Sequence, residues 1–164
     1  MDIDSLPTIE LKNIDDFLSK KRGMYFWFDQ RTNRLVYIGI AVGVGGLRKR
    51  IISQHLNPKY LEYRPEKHTK KDSFQLQYVV RVSRKAAPTL LGIDKSAFRK
   101  SIGRKLYLKP GNETVDYIID NLYLRIYESE DIDGIKALEK LLIGEHQPQF
   151  NTTYKTRDAL ISSG

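Results

Sequence analysis

The sequence predicts an α+β fold: a small, mostly antiparallel three-stranded central sheet flanked by helices, with an inserted strand and a basic helix. Two runs rich in aromatic and β-branched residues, 25–28 and 35–40, are separated by a turn-rich segment, which is typical of an antiparallel hairpin. Residues 122–127 alternate between apolar and polar as a third strand would. Apolar residues also recur at helical spacing in several segments, with capping and terminating residues at their ends.

The N-terminal half is predicted to alternate helix and strand. Asn13 is the expected cap of a short first helix. Three apolar residues share one face of that helix: Ile14, Phe17 and Leu18. The two hairpin strands come next, and the glycine-containing segment 41–46 leads from them to a helix over 47–56. Asn57-Pro58 then ends that helix.

The C-terminal half begins with a polar, basic segment, residues 59–71, which is predicted to be an exposed loop. Alternation over 74–82 predicts a half-buried strand, and 83–92 is expected to be irregular. Helices follow over 96–108 and 132–146, with the third core strand between them and Asp131 capping the last helix. We expect one domain over residues 1–164 with an insertion at about 57–121.

Composition narrows the classes of protein to which the chain can belong. The 28 Lys and Arg residues outnumber the 20 Asp and Glu residues, for a net charge of +8, which favours a polyanionic partner such as nucleic acid. Six basic residues and no acidic residue lie between 95 and 109. The chain has no cysteine, and neither a signal peptide nor a membrane-spanning segment is predicted, so we expect a cytoplasmic protein without a membrane partner.

Four short motifs carry the chemistry of the chain. Gly23-Met24-Tyr25 and Tyr37-Ile38-Gly39 lie on the two hairpin strands, and Leu47-Arg48-Lys49-Arg50 begins the next helix. On the last helix Glu139 precedes Pro148-Gln149-Phe150-Asn151. In this order and on these predicted elements, the motifs resemble those of the GIY-YIG nuclease superfamily, which includes homing endonucleases, excision-repair incision subunits and restriction enzymes.

The resemblance implies a magnesium-dependent endonuclease that hydrolyses phosphodiester bonds of double-stranded DNA. It assigns Glu139 as the ligand of Mg²⁺, or of Mn²⁺ in its place, and Arg50 as the residue that holds the scissile phosphate. Tyr25 and Tyr37 would deprotonate or orient the attacking water, with Tyr25 our choice of base; a nearby cation would then have to depress a phenol pKa of about 10. Asn151 is expected to tie the chain end to the core.

Three departures from the family pattern bear on activity. Met24 replaces the isoleucine of the first triplet, and Ile40 stands where a lysine is often found. His55 lies five residues after Arg50 instead of four, which places it on a different face of an ideal helix unless that helix is distorted. His55 is therefore expected to be a DNA-backbone contact or a catalytic helper. The missing lysine and the shifted histidine favour an alternative, a catalytically silent DNA-binding module of the same fold.

The expected DNA contacts come from the basic segments, because phosphate binding is dominated by Lys and Arg. These residues are Arg48, Lys49, Arg99, Lys100, Arg104 and Lys105, together with the loop 64–71. The chain resembles stand-alone restriction-type members more than homing or repair members, because no separate DNA-binding domain accompanies the motifs. Sequence recognition would then come from the insertion or from a second subunit in a homodimer. A structure-specific repair nuclease is the third interpretation.

Overall fold

The structure, a computed structural model, describes residues 1–65, 79–80 and 90–156. Several sequence predictions fall partly outside these ranges. They are the exposed loop 59–71 and the DNA contacts of 64–71 beyond residue 65, the strand at 74–82 apart from residues 79–80, and the irregular segment 83–92 before residue 90.

Four strands form the central sheet in the order β1-β7-β2-β3, each antiparallel to its neighbour. They are β1 (Thr8–Ile9), β2 (Gly23–Asp29), β3 (Leu35–Ala41) and β7 (Leu122–Glu128). The α+β class and the antiparallel sheet are confirmed, but the sheet has four strands where three were predicted. The extra strand is a two-residue segment that pairs with Arg125 and Leu124 of β7, which is too short to give a sequence pattern.

A second antiparallel sheet lies within the predicted insertion, with strand order β4-β6-β5. Its strands are β4 (Leu61–Pro65), β5 (Val79–Val80) and β6 (Leu90–Asp94). The prediction of an exposed loop from residue 59 is therefore wrong over 61–65, and that of irregular structure is wrong over 90–92. Both segments become ordered by pairing with each other, a long-range interaction that local sequence does not encode.

Five α-helical segments occur among the described residues: α1 (Ile14–Phe17), α2 (Gly46–Arg48), α3 (Ala97–Leu106), α4 (Asn112–Asn121) and α5 (Ile132–His146). Helix α2 continues directly into a π-helix over Lys49–His55. Helix α4 was not predicted. Phe17, expected on the buried face of α1, is exposed, and Asn13 makes no side-chain capping hydrogen bond. None of the helices in the described ranges is long and apolar enough to cross a membrane.

The central sheet is covered on both faces, and alternate residues of β2 supply the two halves of the core. Tyr25 and Trp27 join a cluster with residues of the π-helix, α3 and α4. Met24, Phe26 and Phe28 join a second cluster with α5. These five β2 side chains are nearly inaccessible to solvent, which explains the run of four aromatic residues at 25–28. This arrangement places α5 and the π-helix on opposite faces of the sheet.

Candidate active site

The two motif tyrosines lie on the same face of the β2–β3 hairpin. Tyr25 is opposite Gly39 and Tyr37 is opposite Trp27, so the two phenols are diagonal neighbours with ring centroids 6.3 Å apart. The Tyr25 ring lies directly over Gly39, where a Cβ atom would stand 2.3 Å from the Tyr25 hydroxyl oxygen. The glycine of the second triplet is therefore required because the tyrosine of the first occupies the space of its side chain.

The π-helix brings His55 to the Tyr25 phenol. In a π-helix the hydrogen bonds join residues five apart, so residues 50 and 55 share a face, as they would not in an α-helix. The His55 Nε2 atom lies 2.7 Å from the Tyr25 hydroxyl oxygen, and both side chains are buried. The distortion on which a catalytic role for His55 depended is thus present. The prediction that His55 contacts the DNA backbone is wrong, because only 3% of its surface is exposed.

Arg50 provides the central positive charge of the site. Its half-buried guanidinium donates to the Gln54 side-chain oxygen at 2.9 Å and adjoins a cavity of about 140 Å³ that Lys49 also lines. The charge lowers the pKa of four groups, so all of them interact electrostatically with this one guanidinium. They are Tyr25, Tyr37, His55 and Glu139. A larger cavity, of about 640 Å³, contains none of the predicted site residues.

Glu139 approaches this group of residues from α5. Burial raises the pKa of its carboxyl, Arg50 lowers it, and its negative charge raises the pKa of both tyrosines. The carboxylate accepts no hydrogen bond from any residue that the structure describes. No cluster of three or more His, Asp or Glu side chains suited to a metal occurs among those residues either. A lone half-buried carboxylate fits Mg²⁺, which takes one or two carboxylates and completes its octahedron with waters and phosphate oxygens.

The environment of the two phenols opposes the simplest base mechanism. Burial, and then the Tyr37 charge, raise the pKa of Tyr25 well above its usual value despite the opposing charge of Arg50. Burial raises the pKa of Tyr37 to about 12. A hydrogen bond between the two phenols raises the pKa of Tyr25 and lowers that of Tyr37, so Tyr37 is the easier of the two to ionise. The cation required to depress the pKa of Tyr25 is present, but burial outweighs it.

Asn151 ties the end of the described chain to the sheet, as the sequence predicts. Its side-chain oxygen accepts from the Ile38 N–H and its amide nitrogen donates to the Ile38 carbonyl, both at 2.9 Å. The preceding Phe150 N–H donates to the Val36 carbonyl at 2.9 Å. The segment therefore occupies hydrogen-bonding groups of edge strand β3 next to Tyr37.

Arg99 is the main error among the predicted DNA contacts. Its guanidinium is fully buried and donates to the Asp94 carboxylate and to the backbone carbonyls of Gln54, Asn57 and Tyr60. Asp94 also accepts from the Thr114 hydroxyl at 3.0 Å. Arg99 thus joins the end of the π-helix to β6 and α4, and no phosphate can reach it.

The other predicted DNA contacts have different surroundings. Arg48 is tied to α1, because it donates to the Asp15 carboxylate at 3.1 Å and to backbone carbonyls. Lys49 and Arg104 are exposed, and Lys100 is half-buried. Lys105 donates to the Gln149 carbonyl. Exposed positive charge therefore occurs on two elements, the π-helix and α3.

Two residues of the insertion that were not predicted from the sequence also contact the site. The Ser96 hydroxyl lies 2.8 Å from His55 Nδ1, and the Phe98 ring stacks on Tyr37 with centroids 4.4 Å apart. Ser96 was visible in the sequence only as a residue type that often caps helices, and it does accept from the Arg99 N–H. The insertion is thus part of the wall of the site.

Comparison with protein-family models, curated proteins and solved structures finds no match to this chain.

Proposed function

We propose that this protein is a magnesium-dependent DNA endonuclease of the GIY-YIG type, which hydrolyses phosphodiester bonds. One observation carries the proposal: the charge of Arg50 acts on side chains from four separate elements. They are Tyr25 from β2, Tyr37 from β3, His55 from the π-helix and Glu139 from α5. Cores seldom gather an arginine, a carboxylate and two phenols, whereas phosphodiester hydrolysis requires a cation for the phosphate and groups that handle a water proton.

Each side chain has a role in this proposal. Arg50 binds the scissile phosphate through its planar guanidinium. Glu139 would hold Mg²⁺, or Mn²⁺ in its place, and the ion supplies positive charge to the phosphate and the leaving oxygen. The phenol pair of Tyr25 and Tyr37 positions the attacking water and receives or relays its proton. Asn151 keeps Tyr37 in register by holding β3.

Cleavage of plasmid DNA tests the proposal. We expect wild-type protein with Mg²⁺ to nick or linearise a supercoiled plasmid, and Glu139→Ala and Arg50→Ala to lose about 10²-fold or more in rate. Glu145→Ala is the matched control, because Glu145 is an exposed carboxylate on the same helix. Absence of cleavage with both metals, or equal cleavage by Glu139→Ala, would overturn the proposal. Discrete fragments would indicate a restriction-type enzyme, and preference for flaps or junctions a structure-specific repair nuclease.

The second candidate function is a catalytically silent DNA-binding module. The raised pKa values of both tyrosines favour it, because a phenol that stays protonated cannot act as a base. In that case wild-type protein binds DNA with the salt dependence expected of phosphate contacts but yields no product with Mg²⁺ or Mn²⁺. The expected homodimer is tested separately, by measuring the molecular mass of the protein in solution with and without DNA.

A further inference from the structure

A chain of buried hydrogen bonds runs from the insertion to the tyrosine pair. The Ser96 hydroxyl lies 2.8 Å from His55 Nδ1, and His55 Nε2 lies 2.7 Å from the Tyr25 hydroxyl. At most 5% of the surface of each of these three residues is exposed. Burial makes the direction of each bond consequential, because water cannot satisfy a proton or a lone pair that is left without a partner.

The surroundings of Ser96 set the direction of the first bond. A serine hydroxyl has one proton to donate, and its oxygen already accepts from the Arg99 N–H at 3.2 Å. Within the described ranges, His55 Nδ1 is the acceptor available to that proton. If His55 donated from Nδ1 instead, the Ser96 proton would be buried without a partner. A bare Nδ1 therefore gives the Ser96 proton its acceptor.

The second bond follows from the first. Burial and the charges of Arg50 and Arg99 keep His55 neutral, with its pKa lowered to about 3, so the ring carries one proton. With Nδ1 bare, that proton is on Nε2, and His55 donates it to the Tyr25 oxygen. The Tyr25 O–H is then directed away from His55, on the side of the neighbouring Tyr37 phenol.

We propose that Ser96 is a positioning residue that fixes His55 as the Nε2–H tautomer and makes His55 a hydrogen-bond donor to Tyr25. His55 therefore does not accept the Tyr25 proton. Instead, it stabilises the ionised form of Tyr25 relative to the neutral form, because donation to an ionised oxygen is stronger than donation to a neutral one. This inference rests on the proposed function for its catalytic meaning, but the tautomer itself does not depend on nuclease activity.

The experiment is nuclear magnetic resonance of protein carrying ¹⁵N-labelled histidine rings, without DNA or metal. The chain has three histidines, so comparison with His55→Gln assigns the signals of His55. We expect a protonated Nε2 and a bare Nδ1 in the wild type; a protonated Nδ1 would overturn the proposal. This measurement separates the inference from the proposed function, since a protein that cleaves no DNA still has a defined tautomer.

Two variants test whether Ser96 is the cause. Ser96→Gly removes the hydroxyl and keeps an acceptable helix N-cap, and Ser96→Thr keeps both the hydroxyl and the cap. We expect the glycine variant to lose the single tautomer and to titrate Tyr25 at higher pH, whereas the threonine variant retains both wild-type properties. An unchanged tautomer in Ser96→Gly, or an altered one in folded Ser96→Thr, would overturn the assignment to Ser96.

Discussion

The buried histidine makes a quantitative prediction about stability in acid. In the folded protein, burial first and the charges of Arg50 and Arg99 second lower the pKa of His55 from 6.5 to about 3. The unfolded chain exposes the imidazole, which then binds a proton with the ordinary pKa of about 6.5. Between these values the unfolded chain holds more protons than the folded protein, so the free energy of unfolding falls as the pH falls below about 6.5.

The size of the effect follows from the two pKa values. Linkage gives a loss of about 2 kcal/mol in the free energy of unfolding between about pH 7 and pH 5. At about pH 5 this figure barely changes as long as the folded-state pKa stays below about 4. For a chain of 164 residues the loss corresponds to a decrease in Tm of about 4–8 °C.

Urea unfolding at a series of pH values measures this loss, with the fluorescence of the buried Trp27 as the probe. Wild type, His55→Gln and His146→Gln are compared, so that the carboxylates titrate alike in all three and cancel. The His55→Gln curve should lack about 2 kcal/mol of the wild-type decrease. His146→Gln, which replaces an exposed histidine, is the control. Parallel wild-type and His55→Gln curves would refute the argument, because His55 would then titrate as an exposed histidine does.

Three further predictions concern single contacts. Gly39→Ala should reduce plasmid cleavage about 10²-fold, because its Cβ would displace the phenol of Tyr25. Gly43→Ala is the control, because its Cβ meets no described atom within 4 Å. Equal losses of cleavage in the two variants would contradict the packing argument. Asn151→Ala should lower the free energy of unfolding by about 2 kcal/mol or more in urea titrations, with Asn151→Asp intermediate because it keeps the acceptor. An unchanged urea midpoint in Asn151→Ala would refute this. Arg99→Ala should cost about 3–5 kcal/mol by leaving the Asp94 carboxylate buried and unpaired. Weaker DNA binding at unchanged stability would restore Arg99 as a phosphate contact.

The sequence predicted most of the central elements because their patterns are local. The hairpin, β7, α3 and α5 each show their periodicity within one segment, and the paired glycine and tyrosine triplets mark where the strands meet. The prediction that Arg99 contacts DNA failed because its surroundings are not local in sequence. Arg99 was counted as a surface charge since α3 has no acidic residue, but its partner, Asp94, precedes the helix and is brought to it by the turn between β6 and α3.

The sequence predicted most of the individual residues of the candidate site but not their arrangement in space. No residue spacing predicts a π-helix. The sequence therefore indicated only that His55 would share a face with Arg50 if the helix were distorted. The contacts of Ser96 and Phe98 join segments about 40 and 60 residues apart along the chain, a separation at which periodicity carries no information. Helix α4 does have apolar residues at helical spacing, Val115 and Ile118. It lies within the segment that was assigned to the insertion, where no such helix was predicted.

The hydrogen bonds between Asn151 and Ile38 also limit how copies of this protein can associate. An unprotected edge strand offers its backbone to a neighbouring chain and extends into a continuous intermolecular sheet. On β3 the outward N–H and C=O groups of Ile38 and the carbonyl of Val36 are already occupied by the chain itself. Strand-to-strand pairing along this stretch of β3 is thereby blocked, and cleavage of the segment after α5 would expose an aggregation-prone edge.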